Sequence, residues 1–392
     1  MVASFCHNNH KEFQGCLTYK YSNSLWYWNN LFEHANIDMK PQILIISRYQ
    51  FGYHTDVYKW CCYLRNSYNV DIVTLNAKRP KKDIENINIH YVPRTKNRML
   101  SGLAFVICSI WYMLKFKGII WIHHFPGCNI FKKIFPKKNF ILDIRSLSVS
   151  ENKEYREVLN KKIKKDTETY DYVTVISEGI RNQLSLLETK SAILPLGSDP
   201  FCDNVKKYDS LKLIYVGSLT NRNILETVKG LALFTSNHPE VEIEYDILGE
   251  GKDRKVINEF ISRENLSDKV KTYGFVHHSE LKPFFEKANV GISFVPQTDY
   301  YEFQPPTKTF EYILSGLYTI ATNTSANKEI INDINGCLID DNAEAFAKSL
   351  EYVWSKRKEF KTEIIKESLS EYRWESIVKK YMIPILENRQ KR

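Results

Sequence analysis

The sequence lacks several patterns that mark common classes of protein. Its eight cysteines include no CxxC pair, which argues against a zinc site or a disulfide framework and predicts reduced thiols in the cytosol. No signal-peptide pattern stands at the start of the sequence. The longest apolar segment, GLAFVICSIWYML at 102–114, has 13 residues, which predicts a buried or interfacial helix rather than a bilayer span. No nucleic-acid-binding motif accompanies the basic residues, so no nucleic-acid partner is expected.

The composition is that of a globular protein with an excess of positive charge. The 392 residues carry a formal net charge of +9, and 43% are hydrophobic. The charge predicts an anionic partner, and charge that only maintains solubility is an equally good interpretation. Two lysine-rich segments, 132–138 and 161–165, are first interpreted as solvated faces. Their alternative role, near the apolar segment, is to dock on an anionic membrane surface.

The first 38 residues are rich in Asn, His and Tyr and show no period of 2 or 3.6. Met39 directly precedes a strand-like segment. We therefore expect residues 1–38 to be either the product of a misassigned start codon or a genuine N-terminal extension.

Short apolar segments alternate with helical patterns along the rest of the chain. Segments of nearly continuous Ile, Val and Leu predict buried strands of a parallel sheet that has helices on both faces. The alternation stops at the hydrophilic segment 198–210 and then restarts. We therefore predict an α/β fold with two Rossmann-like domains, 39–200 and 201–371, facing each other across a cleft. The last segment, 372–392, is predicted to be a helix that crosses back to the first domain.

Three consecutive strands of the second domain end in glycine, at Gly217, Gly249 and Gly274. The carboxyl ends of parallel strands share one edge of the sheet, so the backbone can approach a ligand along that edge. Ser218 and Arg222 follow the first of these glycines and precede a helix, an arrangement that suits a phosphate group. A single glycine after a strand is more often only a turn, so the prediction depends on all three.

The segment QPPTKTFEYILSG, residues 304–316, predicts a helix whose first turn contains Thr307, Lys308 and Glu311. A lysine is unfavourable at this end of a helix because the helix dipole is positive there. Glu311 alone could complement the dipole, but Lys308 is explained only if an anion lies nearby. We predict a bound diphosphate beside Lys308 and ribose hydroxyls bonded to Glu311.

These segments resemble those of a known family. They resemble the C-terminal domain of GT-B fold glycosyltransferases, and within that class the large retaining family four, which uses nucleotide sugars. The similar segments are YVGSL (215–219), ILGEG (247–251), TYGFV (272–276) and PPTKTFEYILSGLYTIAT (305–322). The resemblance covers 211–386 and extends more loosely into the last strands of the first domain.

The resemblance implies roles for the matching residues. Arg222 and Lys308 would lie beside the donor diphosphate and act in catalysis, and Glu311 matches the second glutamate of an E-x7-E motif that binds the ribose. The residues expected beside the base are Gly274, Phe275 and Val276. The chain departs from the family at Phe303, which stands where the first glutamate is expected, so the usual contact to the transferred sugar is missing.

The first domain has candidates at the ends of its own strands. Gly52 and His54 follow the first strand. The glycine loop resembles the family loop facing the donor phosphates, which implies donor binding for Gly52, and His54 is a candidate contact of the acceptor or the sugar. His123 and His124 end a later strand, where the family often has a histidine beside the sugar. We expect one of these two histidines to face the cleft as a catalytic residue, and a purely structural role is the alternative.

Asp143 and Arg145 end the next strand. Either side chain could contact the acceptor or the sugar. An internal ion pair between them is the competing interpretation.

The resemblance implies a glycosyltransferase that moves a hexose-type sugar, with retention, from a nucleoside diphosphate sugar to a glycan or polyprenyl-linked acceptor in bacterial-type surface polysaccharide synthesis. Arg222 and Lys308 would supply fixed positive charge, and no DxD motif is placed to bind a metal. We therefore predict that neither a metal nor another cofactor is needed. We expect a cytoplasmic protein, either free or peripheral on the inner face of the membrane. A nucleotide-sugar epimerase and a non-catalytic nucleotide-sugar-binding subunit are the alternatives.

Overall fold

The computed structural model of the protein describes residues 40–391, and both of its sheets belong to one compact unit that begins at Gln42. The expectation for residues 1–38 lies outside the described residues.

The first domain contains a seven-stranded parallel sheet. Its strands are β1 (Gln42–Ser47), β2 (Asn69–Asn76), β3 (Ile87–Pro93), β4 (Ile119–His123), β5 (Phe140–Ile144), β6 (Val173–Val175) and β7 (Ser191–Ile193). Its helices are α1 (Thr55–Leu64), α2 (Arg98–Lys115), α3 (Asn129–Ile134), α4 (Lys153–Thr169) and α5 (Glu178–Gln183). The strand order is β3-β2-β1-β4-β5-β6-β7. All residues of β4 and β5 are buried, because helices cover both faces of the sheet.

The second domain contains a six-stranded parallel sheet. Its strands are β8 (Leu211–Val216), β9 (Ile243–Leu248), β10 (Val270–Gly274), β11 (Val290–Ser293), β12 (Tyr318–Thr322) and β13 (Gly336–Ile339). Its helices are α6 (Ile224–Asn237), α7 (Arg254–Arg263), α8 (Lys282–Lys287), α9 (Thr307–Leu314), α10 (Ser325–Lys328), α11 (Ala343–Lys356) and α12 (Thr362–Glu367). The strand order is β10-β9-β8-β11-β12-β13. The predicted α/β fold with two Rossmann-like domains is confirmed.

The C-terminal residues form a helical segment of three parts: α13 (Trp374–Ile377), a π-helical turn (Val378–Met382) and α14 (Ile383–Gln390). Its apolar side chains pack against the first sheet, in one cluster with residues of β1, β4, β5 and α1. Trp374 is only 1% exposed. The segment that follows the second domain therefore completes the core of the first.

The apolar segment at 102–114 belongs to a longer helix than the sequence predicts. Helix α2 has 18 residues, and the Asn97 side chain accepts hydrogen bonds from the amides of Met99 and Leu100 at its start. By length and composition α2 could cross a membrane, and it is the one helix among residues 40–391 that meets this test. The apolar segment alone does not indicate where the helix begins, because the capping residue and Arg98 are polar.

Loops at the carboxyl ends of the two sheets contact each other. The Ser177 hydroxyl, which follows β6, donates to the carbonyl oxygen of Phe303 at 2.8 Å. The amide of Leu147, which follows β5, donates to the Gln304 side chain at 3.2 Å. Arg156 of α4 lies over the ring of Tyr300, 4.6 Å from its centre. The strand ends that carry the predicted site residues thus face the space between the domains.

Candidate functional site

A pocket of about 350 Å³ lies at the carboxyl ends of β8, β9 and β10. It is lined by Val216, Gly217, Ser218, Leu248, Gly249, Glu250, Phe275 and Val276. Five of the residues that the sequence predicts for donor binding therefore meet in one place. Phe275 is 70% exposed, so its ring is available to stack on a planar ligand.

The glycines at these strand ends allow two backbone segments to approach each other closely. A Cβ atom at Gly249 would lie 1.7 Å from the carbonyl oxygen of Gly217, and Gly217 itself has a φ of +151°. Any larger residue at position 249 would push β8 and β9 apart. The glycines are thus required by the packing of the pocket wall, which leaves the backbone itself accessible to a ligand.

Lys308 lies beside this wall. Its Nζ atom is 3.1 Å from where a Cβ of Gly217 would be, and 3.8 Å from the centre of the Tyr215 ring beneath it. Burial, together with the nearby positive charge of Arg222, lowers the pKa of Lys308 to about 7. Lys308 is in the first turn of α9, where Pro306 provides no side-chain cap. The amides of Thr307 and Lys308 consequently have no intrahelical partners.

Arg222 is the second cation of the site. Asn221 and Asn223 on either side of it have positive φ angles of 57° and 54°, which turn the chain sharply before α6. The guanidinium lies over the Tyr301 ring at 4.4 Å. Its Nη1 atom is buried and has no hydrogen-bond partner among the described residues. A buried, unpartnered donor of this kind is costly unless a ligand occupies the site.

Glu311 lies one helical turn after Lys308. Burial raises the pKa of its carboxyl to about 7, and the charge of Lys308 opposes that rise. Neither side chain forms a hydrogen bond or an ion pair within 4 Å in the described part of the chain. The site therefore holds two basic groups and one carboxyl group whose polar atoms are available to a ligand.

The segment around Phe303 is occupied by structural contacts. The Phe303 ring fills the space that a Cβ of Gly179 would need. Glu302 accepts hydrogen bonds from the amide and the hydroxyl of Ser325, the latter at 2.5 Å, at the start of α10. Gln304 bonds to Leu147 and Tyr300. None of the three side chains takes the place of the missing glutamate.

His54 and His123 form a ring cluster at the carboxyl edge of the first sheet. Their ring centres are 4.3 Å apart, and Tyr49 lies 4.9 Å from His54 and 5.4 Å from His123. Burial lowers the pKa of both histidines. The Nδ1 atom of each has no hydrogen-bond partner among residues 40–391. Gly52, with φ +85°, lies in the turn just before His54.

His124 is directed elsewhere. Its Nε2 atom lies 3.1 Å from the Asp166 carboxylate on α4. The ligand atoms of His124, Asp166 and Cys128 all lie within 4.8 Å of one another. Because His124 and Asp166 already satisfy each other, the structural interpretation suits His124, whereas His123 joins the open cluster.

Asp143 and Arg145 are brought together in the interior rather than at an open surface. Asp143 is fully buried, accepts a hydrogen bond from Thr174 at 2.7 Å and lies 3.7 Å from Arg145. Burial raises the pKa of Asp143 to about 7. Arg145 donates to Asp56 and to the carbonyl of Leu194. These contacts favour the internal ion pair over acceptor or sugar binding.

Sequence reasoning missed two tyrosines of the site. Tyr215 lies under Lys308, and Tyr301 lies under Arg222. Aromatic faces stabilise cations by about 0.5–2 kcal/mol when water is excluded, so these rings help to hold the two charges. Tyr215 precedes the glycine of β8, but nothing in its spacing indicates a lysine 93 positions later.

Two Rossmann-like domains whose strand ends face each other define the GT-B class of glycosyltransferase fold, and solved structures of that class match the chain. Sucrose-phosphate synthase from Thermosynechococcus elongatus matches with a TM-score of 0.71 and 18% identity, covering 90% of this chain and 100% of that one. The lipopolysaccharide outer core galactosyltransferase WaaB matches with a TM-score of 0.64 and 16% identity, over 88% and 99%. HepE of Anabaena, solved with UDP and glucose, matches with a TM-score of 0.66 and 10% identity, covering 88% of this chain and 99% of that one.

Residues 210–356 match the family model described as Glycosyl transferases group 1. These residues therefore form a domain similar to that of the group 1 glycosyltransferases, within a chain that has a GT-B fold. No curated protein matches the sequence.

Proposed function

We propose that the protein transfers a hexose-type sugar, with retention, from a nucleoside diphosphate sugar to a glycan or lipid-linked acceptor in the synthesis of a bacterial-type surface polysaccharide. The observation that carries this proposal is the group of three ionisable side chains without partners beside the strand-end pocket: Lys308, Arg222 and Glu311. Buried charges are normally paired. A ligand with two phosphates and a pair of hydroxyls would pair all three.

The charges also suit the chemistry of the transfer. When the bond from the sugar to the diphosphate breaks, negative charge grows on the leaving phosphate and the sugar becomes an oxocarbenium-like species. Lys308, Arg222 and the free amides of α9 are fixed donors for that developing charge. This supply of positive charge supports a reaction that needs no metal. His123 and His54 lie at the facing edge of the first sheet and would contact the sugar side of the bond.

The solved relatives support the class of donor. HepE was solved with UDP and glucose, and the pneumococcal O-GlcNAc transferase GtfA with UDP and GlcNAc. WaaG takes part in lipopolysaccharide biosynthesis. By likeness of fold, we propose a nucleotide sugar as donor and a surface glycan or its lipid-linked precursor as acceptor.

The contacts of Glu302, Phe303 and Gln304 support a second candidate. If no side chain of this segment holds the sugar, the protein could bind a nucleotide sugar as a non-catalytic subunit, or the same fold could carry out an epimerisation. Turnover of the donor discriminates among these. A transferase consumes the donor when an acceptor is present. An epimerase converts the donor without an acceptor, and a binding subunit leaves the donor unchanged in both cases.

We expect nucleoside diphosphates to raise the melting temperature in a thermal-shift screen of nucleotides and nucleotide sugars, since stabilisation follows occupancy. Glu311→Ala should weaken binding of the best ligand about 30-fold, because charge-assisted hydrogen bonds are worth about 1.5–3 kcal/mol. The matched control is Glu259→Ala on the exposed face of α7. Unchanged affinity of Glu311→Ala would remove Glu311 from the site.

Diphosphate binding is expected to take up about one proton at pH 8. The pKa of Lys308 in the free protein is about 7, so the amine is mostly neutral at pH 8. A bound diphosphate favours the charged form and raises this pKa, so the contribution of Lys308 to the affinity is fully present below pH 7 and falls as the pH rises above it. Calorimetry in buffers of different ionisation enthalpy measures the uptake. Lys308→Met should abolish it, and an equal uptake in that variant would assign the proton elsewhere.

A further inference from the structure

Helix α2 has an apolar stripe that no part of the described chain covers. The stripe comprises Met99, Leu100, Leu103, Ile107, Trp111 and Leu114, all between 54% and 83% exposed. From Leu100 onward the spacing is three or four residues, so these side chains share one face of the helix. Monomeric proteins rarely leave an apolar patch of this extent in water without a partner.

The opposite face of α2 holds the helix flat on the first domain. Phe105 and Met113 are fully buried in the same core as β2, β3 and β4. A membrane-spanning orientation would pull both side chains out of that core. The helix is therefore positioned to present its exposed stripe sideways rather than to insert along its own axis.

The chain segment that contains the stripe carries charge of one sign. Residues 86–142 contain no aspartate or glutamate. Seven basic residues of this segment are exposed: Arg94, Lys96, Arg98, Lys115, Lys117, Lys133 and Lys137. Lys132 and Lys138 of the lysine-rich segment are engaged internally, with Asp171 and with the carbonyl of Phe116. The basic border thus lies at both ends of α2 and on α3.

We propose that the apolar stripe of α2 and its basic border form a docking surface for an anionic lipid bilayer, with α2 lying in the plane of the interface. Apolar side chains enter the boundary between headgroups and acyl chains, while lysine and arginine contact anionic headgroups. A second copy of the chain is a poorer occupant. A symmetric contact through this face would place two sets of exposed cations against each other. The proposal does not depend on the proposed function.

Vesicle flotation tests the proposal with two lipid compositions: phosphatidylcholine alone, and phosphatidylcholine with 30 mol% phosphatidylglycerol. Wild-type protein should float with the anionic vesicles, bind the neutral ones at least tenfold more weakly, and lose binding as salt is raised. Changing Leu103, Ile107 and Trp111 together to Ser should reduce binding to anionic vesicles at least tenfold. Lys115→Glu with Lys117→Glu should reduce it by a similar factor.

Two matched controls separate docking from a general loss of apolar area or charge. Leu187→Ser with Val256→Ser changes exposed apolar residues elsewhere, and Lys348→Glu with Lys358→Glu makes the same charge change on α11 and just after it. Both should bind within twofold of wild type, and every variant should keep the wild-type melting temperature. The proposal is overturned if the triple-serine variant floats like wild type, or if both vesicle types bind equally. It is also overturned if the wild type ignores vesicles and instead forms a dimer, in sedimentation, that the triple-serine variant cannot form.

Discussion

Replacing Lys308 with methionine is expected to lower kcat about 10³-fold and, at the same time, to raise the free energy of unfolding by about 1 kcal/mol. The loss of activity is expected because, in the proposed reaction, Lys308 supplies positive charge where the leaving diphosphate gathers negative charge. Removing one preorganised donor of this type costs about 10²–10³ in kcat.

The gain in stability has the same origin. In the free protein Lys308 is desolvated, lies near Arg222 and has no ion pair in the described part of the chain, so its charge is unfavourable there. Replacing a buried ion pair by well-packed apolar side chains is often neutral or stabilises a protein by about 1–4 kcal/mol. Removing the unpaired amine of Lys308 should act in the same direction. A substitution that lowers activity but raises the free energy of unfolding distinguishes a functional lysine from a structural one.

The measurement pairs the rate of donor turnover, using the donor selected by the thermal-shift screen, with chemical denaturation of the unliganded protein. Lys282→Met on the exposed face of α8 is the matched control and should change neither quantity. Full activity in Lys308→Met would contradict the assigned role. A variant that is both inactive and less stable would indicate that Lys308 supports the fold instead.

Trp374→Ala should cost about 3–5 kcal/mol of stability in the first domain, although residue 374 follows the second domain in the chain. The indole is 1% exposed and packs against Gly197, at a distance that leaves no room for a Cβ there. Truncating a fully buried tryptophan removes its transfer free energy and leaves a cavity. The cavity would open beneath β1 and β4, since Trp374 belongs to the same cluster as their side chains.

Hydrogen exchange of the amides in β1 and β4, compared with those in β12, reports where stability is lost. The matched control is Trp354→Ala. Trp354 is half-buried at the end of α11, with Arg357 over its ring at 3.7 Å, and its removal should cost under about 2 kcal/mol. Equal losses in the two sheets would show that α13 stabilises the whole molecule rather than the first domain.

Much of the fold could be predicted because its strands are encoded by local patterns. Runs such as the one at β1 are apolar throughout because both faces of a parallel sheet are covered. Gly217, Gly249 and Gly274 mark the ends of consecutive strands, and parallel strands necessarily bring those ends to one edge. The residues that line the pocket at that edge could be predicted from the sequence because they directly follow these strands.

The remaining features depend on contacts between distant residues. Asp143 and Arg145 could be interpreted as surface or interior groups until their partners, Thr174 and Asp56, were located. His123 and His124 are adjacent in sequence, but alternate side chains of a strand point to opposite faces, and only the neighbours on each face separate the open cluster from the His124–Asp166 pair. The start of α2 is set by a polar capping residue, which a search for hydrophobic periodicity does not detect.

The contacts of Phe303 restrict how far the two domains can separate. Residue 303 is bonded to Ser177 of the first domain, and Thr307, where α9 begins, is four residues further along the chain. Four extended residues reach at most about 14 Å. A wide opening of the cleft must therefore either break the Phe303 contacts with α5 or drag the start of α9, together with Lys308, away from Gly217. Residues 303–307 therefore connect the separation of the two domains to the geometry of the proposed phosphate site.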